Sequence, residues 1–187
     1  MATSNQAKVE MVSRWLQEIE DELKHAGVAG LPMTPKFRFP RGFIQTADLY
    51  RRVYPCRRRR IGDNVAYTLQ FLDVLRWILI RTDLDLTAQQ MVLKYGVVGT
   101  FSIIEGLIFD SLKSRRIDPG KKFRKTLEKA KVAGIITESL FLDLAHVHEL
   151  REKIHLHLYE VSGAKKYNLG DWNFSVTALR NLADELR

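Results

Sequence analysis

The sequence predicts an all-α protein, a helical bundle preceded by an N-terminal helix and a basic, proline-containing extended arm. Three observations carry this. Apolar residues recur at helical spacing through most of the chain beyond residue 63. No stretch alternates apolar and polar residues for long enough to make a strand. Gly27, Gly30, Pro32, Pro35 and Pro40 fall in one segment and exclude regular helix there. The expected division is 1–62 for the first helix and the arm, and 63–187 for the bundle.

In chain order, a helix is expected from about Lys8 to His25. Val12, Trp15, Leu16, Ile19 and Leu23 line one face and Glu18, Glu20, Asp21 and Glu22 another, the pattern of a helix docked on something. A connector follows, interrupted by a short helix around Thr46 to Val53 before Pro55. From Asp63 to about Thr82, Val65, Leu69, Leu72, Leu75, Ile78 and Leu79 form a broad apolar face that Phe71 and Trp77 widen. Thr87 with Gln90 has the spacing of a capping box, opening a helix to Lys113. Gly96, Gly99 and Gly106 each cost that helix about 1 kcal/mol relative to alanine, which implies close approach of another backbone. Asp118-Pro119-Gly120 is a turn, and a short basic helix carrying Phe123, Leu127, Ala130 and Val132 closes at Gly134. Thr137 opens the next helix. After the loop beginning at Val161, Asp171 or Asn173 starts a terminal helix that returns Phe174, Leu179, Leu182 and Leu186 to the core.

With 187 residues and 45% hydrophobic content the chain is large enough for one well-buried domain and is not wholly disordered. Cys56 is the single cysteine, which excludes an intrachain disulfide and disfavours a cysteine-rich zinc site. The first residues lack a leader's apolar run, and the run from Phe71 to Ile80, taken as the most apolar, is broken by Asp73 and Arg76. No membrane span and a cytoplasmic location are the expectations.

The net charge of +8 is concentrated. Between Leu31 and Arg60 stand Lys36, Arg38, Arg41, Arg51, Arg52 and Arg57 to Arg60 against the single acid Asp48, so the remaining residues sum to zero. Such a block reads as a footprint for a polyanion, with Arg51, Arg52, Arg57, Arg58, Arg59 and Arg60 as candidate RNA-binding residues. Phe37, Phe39, Phe43, Tyr50 and Tyr54 lie among them as candidate stacking partners for unpaired bases. The competing reading is a solvated surface, or arginines paired with acids on other helices.

The run from Glu138 to Glu160 concentrates the chemistry. On a helix, Leu140, Leu144, Val147, Ile154 and Leu158 make one stripe, and Arg151 falls on its edge with His148 one turn before and His155 one turn after. His146 and His157 point away. Arginine clamps phosphate with a planar fork and histidine exchanges protons near neutral pH, so the pair suits phosphodiester chemistry. Alternating histidines on a helix face about 200° apart, so neither His146/His148 nor His155/His157 chelates a metal, and no metal or cofactor is expected. Glu105, set among apolar residues, either pairs with Arg151 or a histidine of this run or emerges at a solvated edge.

Lys121 to Leu140 followed by the run LAHVHELREKIHLHL resembles the C-terminal half of HEPN domains, the higher-eukaryote and prokaryote nucleotide-binding family. Those domains lead from a short helix, through a turn that often contains Gly-Ile, into a long helix with an Arg followed a turn or more later by a His. The run from Gly99 to Ser114 resembles their long apolar helix with an embedded acid, and the likeness spans Val65 to about Arg187. It implies a HEPN-like up-down bundle and a metal-independent endoribonuclease, with Arg151 and His155 or His157 as catalytic residues and Glu105 and His148 in support. It also implies a homodimer, RNA as substrate, and a possible antitoxin or defence-system partner. Two departures stand out. Glu152 replaces the Asn, Asp or His usual after the Arg, and the histidine spacing leaves two registers, His155 on the same face as Arg151 and His157 within the family's range. A catalytically inert dimeric module binding RNA, a nucleotide or a partner protein is the alternative.

Overall fold

A computed structural model describes residues 42–84, 86–152 and 167–187, together with isolated positions between 7 and 22. The chain divides into two compact units, Met1–Phe39 and Pro40–Arg187. In the first unit the described residues are helical, and Val12, Trp15 and Ile19 are exposed. The rest of that helix and of the arm, up to residue 41, lies outside the described residues. The second unit is all-α, with no strand among the described residues.

Its helices are α1 (Ala47–Val53), α2 (Arg59–Arg81), α3 (Leu86–Ser114), α4 (Phe123–Val132), α5 (Glu138–Glu152) and α6 (Leu169–Glu185). The body begins at Pro40 rather than at residue 63, because α1 and the basic turn after it are bound into it. Thr46 caps α1 by accepting from the Leu49 N–H at 3.2 Å. Tyr50 donates its hydroxyl to Asp73 on α2 at 2.6 Å, and the Gln45 N–H adds a second bond to that carboxylate. Burial first, and then Asp73, raises the Tyr50 pKa. Tyr54 is buried in the core. Tyr50 and Tyr54 are therefore anchors of α1, not platforms for bases.

α3 is the centre, packing against α2, α4, α5 and α6. Among the described residues it, and not the helix carrying the run 71–80, is apolar enough over 18 residues to be a candidate span. Its most apolar window reaches a mean hydropathy of 1.5, enough by length and composition to cross a bilayer, and 61% of that window is buried in the fold. Thr87 lies inside α3, which has begun by Leu86, so it is not the cap. The helix continues through all three glycines. At two of them a side chain, not a backbone, makes the close approach. A Cβ on Gly96 would meet the Trp172 ring of α6 at 2.5 Å, and one on Gly99 would meet Leu72 Cδ2 of α2 at 2.8 Å. Of the expected apolar face of α2, Val65, Leu69, Leu72 and Leu75 are buried, while Phe71 turns to solvent.

Both ends of the α3–α4 hairpin close with the same motif. After α4, Gly134 at φ +62° donates to Lys131 O and Ile135 to Ala130 O, a Schellman closure whose apolar contact is the buried Ile135. After α3, Arg116 takes the same place at φ +60°, with bonds from Arg116 to Lys113 O and from Ile117 to Leu112 O. Thr137 caps α5 as its sequence position suggests, accepting from the Leu140 N–H, and it is itself held by Glu185 of α6 at 2.9 and 2.7 Å. α6 starts earlier than expected. Asn168 and Asp171 form a reciprocal capping box, and Tyr167 just before it is buried and donates to Leu150 O at 2.8 Å. Trp172, Leu179 and Leu182 fill the core from α6, whereas Phe174 is only half-buried.

The glycines of α3 should separate in a stability test. Gly96→Ala forces the new methyl into Trp172 and should cost about 1–3 kcal/mol in urea denaturation. Gly106→Ala meets nothing closer than Ile61 Cγ2 at 3.8 Å and should stabilise by about 1 kcal/mol.

Candidate functional site

The last turn of α5 meets α3 and the start of α4 over an aromatic floor. Phe101 of α3 and Phe123, the first residue of α4, pack edge to face with ring centroids 4.7 Å apart. His148 stacks on Phe123 at 5.2 Å and 24° and lies tilted against Phe101 at 5.5 Å. Three residues on, and so on the same face, the Arg151 guanidinium sits 5.7 Å from the Phe101 ring centre. Glu152, one turn after His148, brings a carboxylate oxygen to 3.7 Å from His148 Nε2, a pair that becomes ionic when the imidazole is protonated. His146 points elsewhere, with its ring edge-on to Phe174 of α6 and Nδ1 3.9 Å from Glu149. Arg151 and His148 thus share one edge, as their spacing predicts. His155 and His157 lie outside the described residues.

Glu105 is exposed on α3, so the solvated-edge alternative describes it. The acid that needs a partner is Asp110, which is only 3% exposed. Its carboxylate accepts from the Arg57 backbone N–H and from Arg58 Nε, each at 2.7 Å. These bonds satisfy a charge whose unpaired burial would cost several kcal/mol. Cys56 sits beside this pair, and its thiol is pushed up to about 11 by burial first and by the Asp110 charge second. It is consequently a poor nucleophile at neutral pH.

The basic block divides into structural and free members. Arg51 bonds Asp63 on α2 at 2.7 Å and pairs with Asp48. Arg58 holds Asp110 and lies 5.0 Å over the Phe109 ring. Arg52 is exposed and reaches Asp48 O at 3.4 Å. Arg57, Arg59 and Arg60 are also exposed. Phe43 lies beneath Arg76, at 5.9 Å, and Phe37 and Phe39 lie outside the described residues. Against this loss the fold supplies a second basic run that the chain's neutral remainder conceals. Between Lys113 and Lys131 there are nine basic residues and two acids, Asp118 and Glu128. Lys113 comes to 5.9 Å from the same Phe109 ring as Arg58, and Arg57, Arg58, Lys113 and Ser114 line one small cleft with Asp110. Two runs more than fifty positions apart therefore meet at the C-terminal end of α3. A larger cavity, about 770 Å³, lies elsewhere, around Trp172 between α2, α3 and α6, flanked by Arg76 and Arg180.

Comparison with protein-family models, with curated proteins and with solved structures finds no match to this chain.

The two acids of α3 should behave oppositely when removed. Asp110→Ala strips Arg57 N–H and Arg58 of their acceptor and should lower stability by about 3 kcal/mol. Glu105→Ala should stay within about 0.5 kcal/mol. Denaturant titration of the two variants measures both.

Proposed function

We propose that this chain is a HEPN-type, metal-independent endoribonuclease that holds RNA on the basic end of α3 and cuts it at the Arg151 edge of α5. The observation that carries the reading is the placement of Arg151. Its guanidinium rests against Phe101 at the rim of the bundle, with His148 beside it, in the run whose sequence resembles the HEPN motif. A cation oriented by an aromatic face is well suited to charge that builds on a phosphate. In the proposed step the RNA 2′-oxygen bonds to the adjacent phosphorus as the bond to the 5′-oxygen breaks. One histidine takes the 2′-hydroxyl proton and another returns a proton to the leaving oxygen. The products are a 2′,3′-cyclic phosphate and a 5′-hydroxyl. Because histidines from two copies would complete such a site, the active species in this reading is a homodimer.

A specific observation favours a second reading, an inert RNA-binding module of the same fold. The His148 side chain is only 18% exposed, is stacked on Phe123, and lies near Glu152, which suits a packing role for the imidazole better than proton transfer.

Cleavage of a fluorescent single-stranded RNA in the presence of chelator separates the two. The enzyme reading expects a cyclic-phosphate product, a loss of about 10²–10³ in rate for Arg151→Ala, and RNA affinity retained in that variant. His155→Ala or His157→Ala should abolish cleavage according to which register acts. A wild-type dimer, verified by light scattering, that binds RNA and never cuts it assigns the chain to the inert module.

A further inference from the structure

Between the turn that follows α1, the C-terminal turns of α3 and the end of α6 lies a second cleft, of about 350 Å³. Arg57, Arg115 and Arg187 line it, with Ser111 and Ser114 between them. Two carboxylates also line it, but each is engaged from within the fold. Asp110 accepts from Arg57 N–H and Arg58 Nε, and Glu185 from the N–H and hydroxyl of Thr137. Arg187 is committed, to Asp184 at 3.0 Å and to Val53 O at 3.2 Å, but the other two arginines are less so. Arg57 contributes only its backbone N–H to the Asp110 pair, and its guanidinium is exposed. Arg115 gives Nη1 to Ala133 O at 3.1 Å, which leaves the rest of its fork. The cleft is thus walled by guanidinium donors and hydroxyls, with the Asp110 charge paired to Arg58 and the Glu185 oxygens hydrogen-bonded by Thr137. Arg58 and Lys113, the latter 3.5 Å from Asp118, stand over Phe109 in the adjoining cleft, which shares Arg57, Asp110 and Ser114.

We propose that this cleft binds a phosphate monoester, with Arg57 and Arg115 as the forks that grip it and Ser111 as a hydroxyl donor. The doubly charged, three-oxygen head of a monoester matches a cleft lined by several arginines better than the singly charged diester of a chain interior. A volume of a few hundred Å³ suits one nucleotide rather than a duplex. The bearer is either the phosphorylated end of a nucleic acid or a free mononucleotide. The site is independent of Arg151. Phe101, which carries Arg151, and Asp110 are separated by roughly 14 Å along α3 at 1.5 Å per residue.

Oligodeoxynucleotides of one sequence, bearing a 5′-phosphate, a 3′-phosphate or only hydroxyl ends, test the proposal by fluorescence anisotropy, and AMP against adenosine tests it by calorimetry. DNA lacks the 2′-hydroxyl that cleavage needs, so the result does not depend on the ribonuclease reading. A phosphorylated end, or AMP, should bind about tenfold tighter than its hydroxyl counterpart, the worth of one charge-assisted bond. A preference for the phosphorylated oligonucleotide identifies a nucleic-acid end as the bearer, and one confined to AMP identifies a mononucleotide. Arg57→Ala keeps the backbone bond to Asp110, so it should fold and lose this preference, as should Arg115→Ala with its melting temperature checked. Arg151→Ala should retain it. Equal binding of all probes overturns the site. So does a preference that falls equally in Arg59→Ala or Arg60→Ala, which belongs to a diffuse basic surface.

Discussion

A helix that is apolar on almost every side must be surrounded, and α3 imposes that condition on this fold. Val97, Phe101, Ile103, Ile104, Leu107, Ile108 and Leu112 are all buried, and they point in different directions around its axis. One partner helix cannot cover them. α2, α4, α5 and α6 each take a sector, and Gly96 and Gly99 thin the helix where Trp172 and Leu72 press closest. The places where chemistry gathers follow from this. Phe101 presents the floor for His148 and Arg151, and Asp110, further along the same helix, anchors the basic turn before α2.

Asp110 also settles what the basic block is. A carboxylate in that apolar helix is tolerable only with donors aimed at it, and Arg57 N–H and Arg58 Nε provide them. The exchange ties residues 55–60 to the body and commits Arg58 to holding the fold, as Asp63 commits Arg51. A run of four arginines therefore splits by position. Arg58 is spent on structure, and Arg57, Arg59 and Arg60 present their guanidinium groups to solvent. Charge counted along the sequence overstates what a ligand meets here, and understates it around Lys113 to Lys131, where acids distant in sequence had cancelled the sum.

What was legible in the sequence was the part governed by neighbours within about one helical turn. The apolar period of α2, the closure at Gly134, the opening of α5 at Thr137, and the shared edge of His148 and Arg151 all depend on residues three or four positions apart. The misses depend on distance. Phe71 looked apolar enough to be core, but no element among the described residues covers its side of α2. Asp110 and Glu105 are both acids in an apolar run, and only the arrival of residues 57 and 58, more than fifty positions away, distinguishes them. The start of α6 does carry a local signal, because Asn168 and Asp171 have the spacing of a reciprocal cap and Tyr167 precedes them as an anchor. Arg116 had no such signal. A non-glycine residue is uncommon at positive φ, and here the Schellman bonds and the Ile117 contact hold it there.

The separation between the end of α3 and the rim of α5 gives the proposed activity a physical division of labour. Exposed basic residues attract any polyanion and release counterions when it binds, a contribution that is large, weakly directional and sensitive to salt. Arg151 is held differently. Resting on Phe101, its guanidinium has already lost part of its rotational freedom during folding, so less is lost when a phosphate arrives. The nearby carboxylate of Glu152, 3.7 Å from His148 Nε2, opposes a phosphate at the same edge. Affinity gathered at the end of α3 and orientation beside Phe101 near its middle can then be changed separately, because the residues responsible contact different sectors of the same helix.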